Sequence, residues 1–297
     1  MLTVIAAGKG SPGTTTLALG LSLTWPAPVL LVEADPSGGS IRHGYGQGTD
    51  MAGRNLLGWR ITARRTDPVE AIWANTVQLV GGCQVLPGLD TPAQAASIDY
   101  TLLARALAGL DADVIVDIGR IPGPVDIGPL IAVADRVVIP LRSTLASVHA
   151  AQSAAVTAGG FMSQAHDGPT GVDDRSVSVL VGAGRPYPED DVRAAMAQTA
   201  PLAGTVAWDP VAAAMLSDGA PSPRRFEVAP LIRSMRHLAE TLAARHEPAR
   251  DPAKALILQD VSTNAGSIAR DDAEPLDRAP TRGLHRHSEP VPIGGAQ

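Results

Sequence analysis

The sequence predicts an α/β fold, doubly wound around a mostly parallel sheet. Three observations lead there. Apolar runs of strand length recur along the chain, as in Met1–Ala7, Val29–Asp35, Asp113–Gly119, Ala134–Pro140 and Ser176–Val181. They read as continuously hydrophobic rather than alternating, as strands buried on both faces do. Segments of helical periodicity separate them, the order that builds parallel crossovers.

The opening element is the most informative. Met1–Ala7 reads as a buried strand, Gly8-Lys-Gly-Ser-Pro-Gly-Thr-Thr-Thr16 as a glycine-rich loop, and Leu17–Thr24 as a helix. In such a strand–loop–helix unit, glycines let backbone N–H groups turn toward an anion, and the helix N-terminus adds its positive dipole end. Gly8 and Gly13 have the spacing of the phosphate-loop pattern G-x-x-x-x-G-K-[ST], with Thr15 at its hydroxyl position and Thr14 at its lysine position. Thr15 and Thr16 open the helix, where a hydroxyl either caps the helix or ligates Mg²⁺. Among 24 basic residues only Lys9 and Lys254 are lysine. A compact ammonium inside this loop suits a phosphate as a point charge. On the loop alone, a plain turn with a solvated lysine and a phosphate cradle account for the sequence equally well.

Val29–Asp35 ends in Asp35-Pro-Ser-Gly-Gly39, which places Glu33 and Asp35 at the carboxyl end of a strand, where α/β sheets bind ligands. Residues 40–65 are glycine-rich and basic, an irregular connection with a helical turn near Asn55–Trp59. Asp67, Pro68 and Glu70 form a helix start with Asp at the N-cap. Val77–Leu86 reads as a strand, Pro92–Ala108 as a helix and Gly109 as its C-terminal cap. Asp113–Gly119 places Asp117 after three hydrophobic positions, at the end of a strand. A further strand, Ala134–Pro140, precedes a helix that starts at Ser147, and Arg142 in the junction reads as a phosphate contact or a surface arginine. After Ser176–Val181 come a helix over Pro188–Gln198, a strand and loop over Leu202–Pro210, and a helix over Val211–Leu216. Glu227–Arg245 reads as an amphipathic helix with Val228, Leu231, Ile232, Met235, Leu238 and Leu242 at helical spacing.

Composition bounds the rest. The chain has 297 residues, 45% of them hydrophobic and 3% aromatic, so a core of Val, Leu, Ile and Ala is expected. A net charge of −6 and a pI of about 5.6 are unlike a typical nucleic-acid binder, although Arg224, Arg225, Arg233 and Arg236 form a local basic cluster. The single cysteine, Cys83, excludes an internal disulfide, a multi-cysteine zinc site and a self-contained cysteine-ligated cluster. No apolar run approaches the roughly 20 residues that span a bilayer. The expected compartment is the cytoplasm. The globular domain is expected over 1–246, followed by a disordered polar tail over 247–297. His285 and His287, two histidines in that tail, read as solvated rather than as a metal site.

Taken together, the blocks resemble the ParA/MinD family of P-loop NTPases. The first loop is similar to that family's deviant Walker A, K-G-G-x-G-K-[ST]-T. Lys9, Gly10, Gly13, Thr15 and Thr16 match it, Ser11 replaces a glycine and Thr14 replaces the second lysine. Asp35-Pro36 matches the second half of the family's D-x-D-P-Q-G motif, with Glu33 in place of the first Asp and Ser37 in place of Gln. Asp117 resembles the Walker B carboxylate, although Gly119-Arg-Ile-Pro-Gly123 departs from the family's continuation and leaves Gly119 to offer an N–H to a phosphate. Gly184-Arg185 stands where the family carries Asn-Arg, whose Asn contacts adenine.

The resemblance implies ATP and Mg²⁺ as cofactors. Residues Gly8, Lys9, Gly10, Ser11, Pro12, Gly13, Thr14, Thr15 and Thr16 would bind the nucleotide. Thr15, Asp117 and Asp35 would serve the metal, and Asp35 would position the attacking water. It also implies a homodimer in which Lys9 reaches the partner's phosphates, and an ATPase that positions a cargo, either DNA bound nonspecifically through the arginine cluster or a polar pilus or secretion complex. The replacement of the loop lysine by Thr14 keeps open a second reading, a TadZ/CpaE-like scaffold that works through protein contacts with little hydrolysis. The final residues, Pro-Ile-Gly-Gly-Ala-Gln297, lack the family's amphipathic membrane helix.

Overall fold

A computed structural model describes residues 1–10, 12–164 and 175–244. The expected tail, with His285 and His287, lies outside the described residues. Among the described residues, eight strands form one sheet: β1 (Leu2–Ala7), β2 (Val29–Glu33), β3 (Val77–Gln78), β4 (Gln84–Leu86), β5 (Asp113–Arg120), β6 (Arg136–Leu141), β7 (Ser176–Val181) and β8 (Leu202–Val206). Their order is β3-β4-β2-β5-β1-β6-β7-β8, and every pairing is parallel except β3 with β4. The doubly wound, mostly parallel sheet expected from the sequence is the fold observed.

Alternation along the central strands feeds two cores, one on each face. Leu2, Val4, Leu30, Val32, Val114 and Val116 face one side. There they meet α2 (Leu56–Thr62), α3 (Pro68–Asn75), α4 (Tyr100–Ala108), α5 (Gly128–Ala132), α6 (Leu145–Gln164) and α7 (Glu189–Met196). Ile5, Leu31, Ile115 and Val138 face the other side, against α1 (Thr14–Thr24), α8 (Pro210–Asp218) and α9 (Pro230–Ala244). Burying both faces explains why these strands read as unbroken apolar runs. Among the described residues, no helix is long and apolar enough to cross a membrane.

Several local expectations need correction. The strand read over Val77–Leu86 is a hairpin: Gly81 and Gly82, at φ +83° and +85°, reverse the chain between β3 and β4. Only there is the sheet antiparallel. The helix read over Pro92–Ala108 is two pieces, a 3₁₀ segment over Pro92–Ser97 and then α4, because Asp99 takes the N-cap of α4 and accepts a hydrogen bond from the Leu102 N–H. Gly109 ends α4 with right-handed φ and ψ, so the cap does not need glycine's left-handed conformation. Val228 belongs to a 3₁₀ turn before α9 and is exposed, while Leu231, Ile232, Met235, Leu238 and Leu242 are buried as their spacing predicts. The helical turn read at Asn55–Trp59 is α2, capped by the Asn55 side chain. Helix α3 starts as read, with the Asp67 carboxylate accepting from the Val69 and Glu70 N–H groups. Helix α5 carries no signal the sequence reading recognised.

Candidate nucleotide site

The glycine loop leaves β1 at the carboxyl edge of the sheet and enters α1 through Gly13, at φ +95°. No side chain caps α1; the first helical bond runs from the Leu17 N–H to the Gly13 carbonyl at 2.8 Å. Thr15 and Thr16 therefore do not cap the helix. The Thr15 hydroxyl instead donates to the Asp117 carboxylate at 2.5 Å. Gly8 lies so close to α6 that a β-carbon there would sit 2.2 Å from the Ala150 carbonyl oxygen. This contact, rather than the loop's own turn, demands glycine at position 8.

Three carboxylates gather at the ends of β2 and β5, and the structure gives each a different task. Asp117 is wholly buried and also accepts from the Gly119 N–H at 3.0 Å. Burial above all pushes its carboxyl up to about 7; the Thr15 and Gly119 hydrogen bonds oppose the rise, and the charges of Glu33 and Asp35 add to it. The Gly119 N–H, expected to face a phosphate, is thus engaged by Asp117.

Glu33 sits beside Asp117 in the β2–β5 register, but it is sealed in. Its carboxylate accepts from the N–H groups of Ser40 at 2.5 Å, Ile41 at 2.9 Å and Gly88 at 3.0 Å. Its pKa is raised, chiefly by burial, against the pull of those bonds. A β-carbon at Gly39 or Gly88 would lie 2.6 or 2.9 Å from a Glu33 oxygen, so both glycines are needed to let the loops close over it. Glu33 is a clamp holding the loops after β2 and β4 together.

Asp35 is half-buried and turned toward the glycine loop. One oxygen accepts from the Ser37 N–H at 2.7 Å, and the other lies where a β-carbon on Gly119 would be, 2.1 Å away.

Two cavities meet at Gly13 and Thr16. One, of about 260 Å³, is lined by Gly13, Thr14, Thr15, Thr16, Asp35, Ser37, Gly119 and Arg120. The other, of about 220 Å³, is mainly apolar, and Pro12, Arg142 and Trp208 contribute to its walls. The Arg142 guanidinium stacks 5.0 Å from the Trp208 ring centre, so this arginine lines the apolar cavity and not the one that Thr14, Thr15 and Asp35 line. Lys9 is exposed and lines neither cavity; Ser11 lies outside the described residues. Arg224, Arg225 and Arg236 line a separate cavity of about 780 Å³ with Phe226 and Ile232, and Arg233 does not join them.

Among the described residues, no group of three or more His, Cys, Asp or Glu side chains stands ready to hold a metal. That does not conflict with Mg²⁺, which keeps several waters and takes one or two protein oxygens plus phosphate. The Thr15 hydroxyl and Asp117 carboxylate are hard oxygen donors already in contact, beside two further carboxylates without a lysine or arginine against Asp117, and this donor set fits Mg²⁺. Arg120 and Trp208 are the site residues that sequence reading passed over. Arg120 falls where the chain departs from the family's continuation, and Trp208 falls at a variable position of the strand and loop over Leu202–Pro210, which resembles a family block without specifying that residue.

The architecture defines a class, the doubly wound α/β fold with a glycine loop between its first strand and first helix. Within it, the fold is that of ParA and MinD. A ParA family ATPase from Chlorobium tepidum superposes with a TM-score of 0.60 at 16% identity, over 80% of this chain and 98% of the other. MinD from Pyrococcus horikoshii, solved with Mg-ADP, gives 0.60 at 16% over 81% and 95%. A plasmid partition protein from Borrelia burgdorferi, bound to AMPPNP, gives 0.61 at 15% over 82% and 99%. No protein-family model matches the chain, and no curated protein sequence does. At this identity the likeness is one of fold.

Proposed function

We propose that the chain binds ATP with Mg²⁺ as a switch that brings two copies together and positions a cargo. The observation that carries this reading is the pair of cavities sharing Gly13 and Thr16, polar and loop-lined on one side, apolar and aromatic on the other. A nucleotide has the same two-part chemistry. The loop and the α1 N-terminus would take the phosphates, and the Trp208 cavity the base. Thr15 and Asp117 would hold Mg²⁺, which offsets charge on the phosphates. Asp35 would orient the attacking water, its carboxylate being the more accessible of the three. Lys9, exposed and outside both cavities of its own chain, would serve a second copy. The cargo, DNA or a protein complex, belongs to the same proposal, as does a cytoplasmic setting.

A second reading follows from Thr14. It lines the phosphate cavity with a hydroxyl where the usual loop supplies an ammonium. Losing one such stabilising group typically costs about 10²–10³ in rate, so the chain would keep the fold and the dimer face and act through protein contacts, with little or no hydrolysis, as a scaffold.

Titration of the full chain with ATP and Mg²⁺, followed by calorimetry and by sedimentation for dimer formation, tests both. Saturable binding that drives dimerisation, lost in Lys9→Ala, supports the switch. Turnover above background then favours the ATPase over the scaffold. Absence of binding at millimolar ATP overturns the nucleotide reading.

A further inference from the structure

We propose that Arg120 supplies the positive charge that a phosphate loop ordinarily takes from its own lysine, and binds the terminal phosphates from the end of β5. The inference rests on the nucleotide reading above. The phosphate cavity presents a charge problem. Thr14 is neutral, Lys9 lies outside the cavity, and Asp35 lines it with Asp117 and Glu33 behind. An anion entering there meets the Asp35 carboxylate, with two more acidic groups buried behind it. Among the residues lining this cavity, Arg120 is the one cation.

The backbone aims it there. The β1–β5 pairing runs in step as far as Ile5 opposite Asp117, then jumps to Ala7 opposite Arg120. Three steps along β5 are set against two along β1, which is a β-bulge, and Gly119 within it adopts φ +66°. Bulges bend a strand and re-aim the side chain that follows. This one is held on both sides, by the Gly119 N–H on Asp117 and by the Ile121 N–H on the Ala7 carbonyl at 2.9 Å. Asp117 and Arg120 are therefore set in one rigid piece of backbone, the carboxylate buried at the Thr15 hydroxyl and Arg120 in the cavity lining.

Arg120 is also available. It is exposed, and among the described residues no hydrogen bond or ion pair holds its side chain. Other arginines are engaged: Arg42 with Asp90, Arg193 with Glu189, and Arg142 on Trp208. A guanidinium presents a planar fork of N–H donors that matches two phosphate oxygens, so it can replace a lysine approaching from a different direction.

The test is equilibrium binding of fluorescent ATP, ADP and AMP to the full chain with Mg²⁺, for the native sequence, Arg120→Gln, Arg120→Lys and the double variant Thr14→Lys/Arg120→Gln. Thermal melting confirms that each is folded. Arg120→Gln is expected to weaken ATP about 10- to 100-fold, the loss of a charge-assisted contact, and to leave AMP unchanged. Arg120→Lys should recover part of the loss, and Thr14→Lys should restore ATP affinity in the Arg120→Gln background by returning a cation to the loop. Native ATP affinity in Arg120→Gln, or equal weakening of ATP and AMP, overturns the inference while the nucleotide reading stands. Absence of nucleotide binding by the native chain overturns both.

Discussion

Replacing Asp117 by Asn should stabilise the metal-free chain above neutral pH while removing Mg²⁺-dependent nucleotide binding. Asp117 is fully buried, and burial is the main reason its carboxyl rises from 3.8 to about 7. A carboxyl raised on folding holds its proton more tightly in the native than in the unfolded chain. Its contribution is therefore most favourable below pH 3.8 and is lost as pH rises from there toward 7. At about 1.4 kcal/mol per pH unit across that window, the raised carboxyl costs the native state about 4 kcal/mol at pH 8, where it is ionised, and less than half of that at pH 5, where the native state holds the proton and only the unfolded chain has released it. Asn keeps both local bonds, its carbonyl accepting from the Gly119 N–H and its amide donating to the Thr15 hydroxyl. Denaturant unfolding in EDTA at the two pH values measures the difference. The expected result is a gain of about 4 kcal/mol at pH 8 that shrinks by more than half at pH 5. A variant no more stable than the native chain at pH 8, or a gain independent of pH, would refute the reasoning. A confirmed gain would identify a buried charge kept at the expense of stability, as expected of a group retained for metal binding.

Two further substitutions test how the loop is held. Gly8→Ala pushes a methyl group into the Ala150 carbonyl, part of the rigid α6 backbone. Overpacking of this kind should cost about 1–3 kcal/mol, read in thermal or denaturant melts; unchanged stability would show that the loop does not rest on α6. Gly119→Ala places a side chain at φ +66° and against an Asp35 oxygen. The left-handed backbone alone should cost about 1–2 kcal/mol, and the displacement of Asp35 and Arg120 should weaken ATP more than AMP. Native stability and native ATP binding in this variant would argue against the bulge as the positioning device.

Much of the fold was legible because local chemistry and global packing agree. The strands buried on both faces announce themselves as unbroken apolar runs, and Asp67 with Pro68 marks the start of α3 as its capping geometry requires. The misread segments are those where a local pattern has two solutions. Val77–Leu86 has strand composition throughout, and only the paired glycines at 81 and 82 turn it into a hairpin. Pro92–Ala108 has helical periodicity throughout, and Asp99 divides it by capping the second half.

The candidate site shows the same division. Glycine spacing, the two threonines and the strand-end aspartates are visible in one dimension because a phosphate loop is built from contiguous residues. The sequence by itself determined the α/β class, the position of the loop after β1, and the identity of Asp35 and Asp117 as the acidic residues at strand ends. Only the tertiary structure separated the three carboxylates into a clamp, a buried partner of Thr15 and an accessible group, since that depends on which backbone N–H groups the folded loops bring to each. It alone placed Arg120 beside Thr14 and Trp208 across Gly13, because a bulge in β5 and the loop after β8 meet the first loop across separations of roughly 100 and 200 residues, and no local pattern encodes that approach.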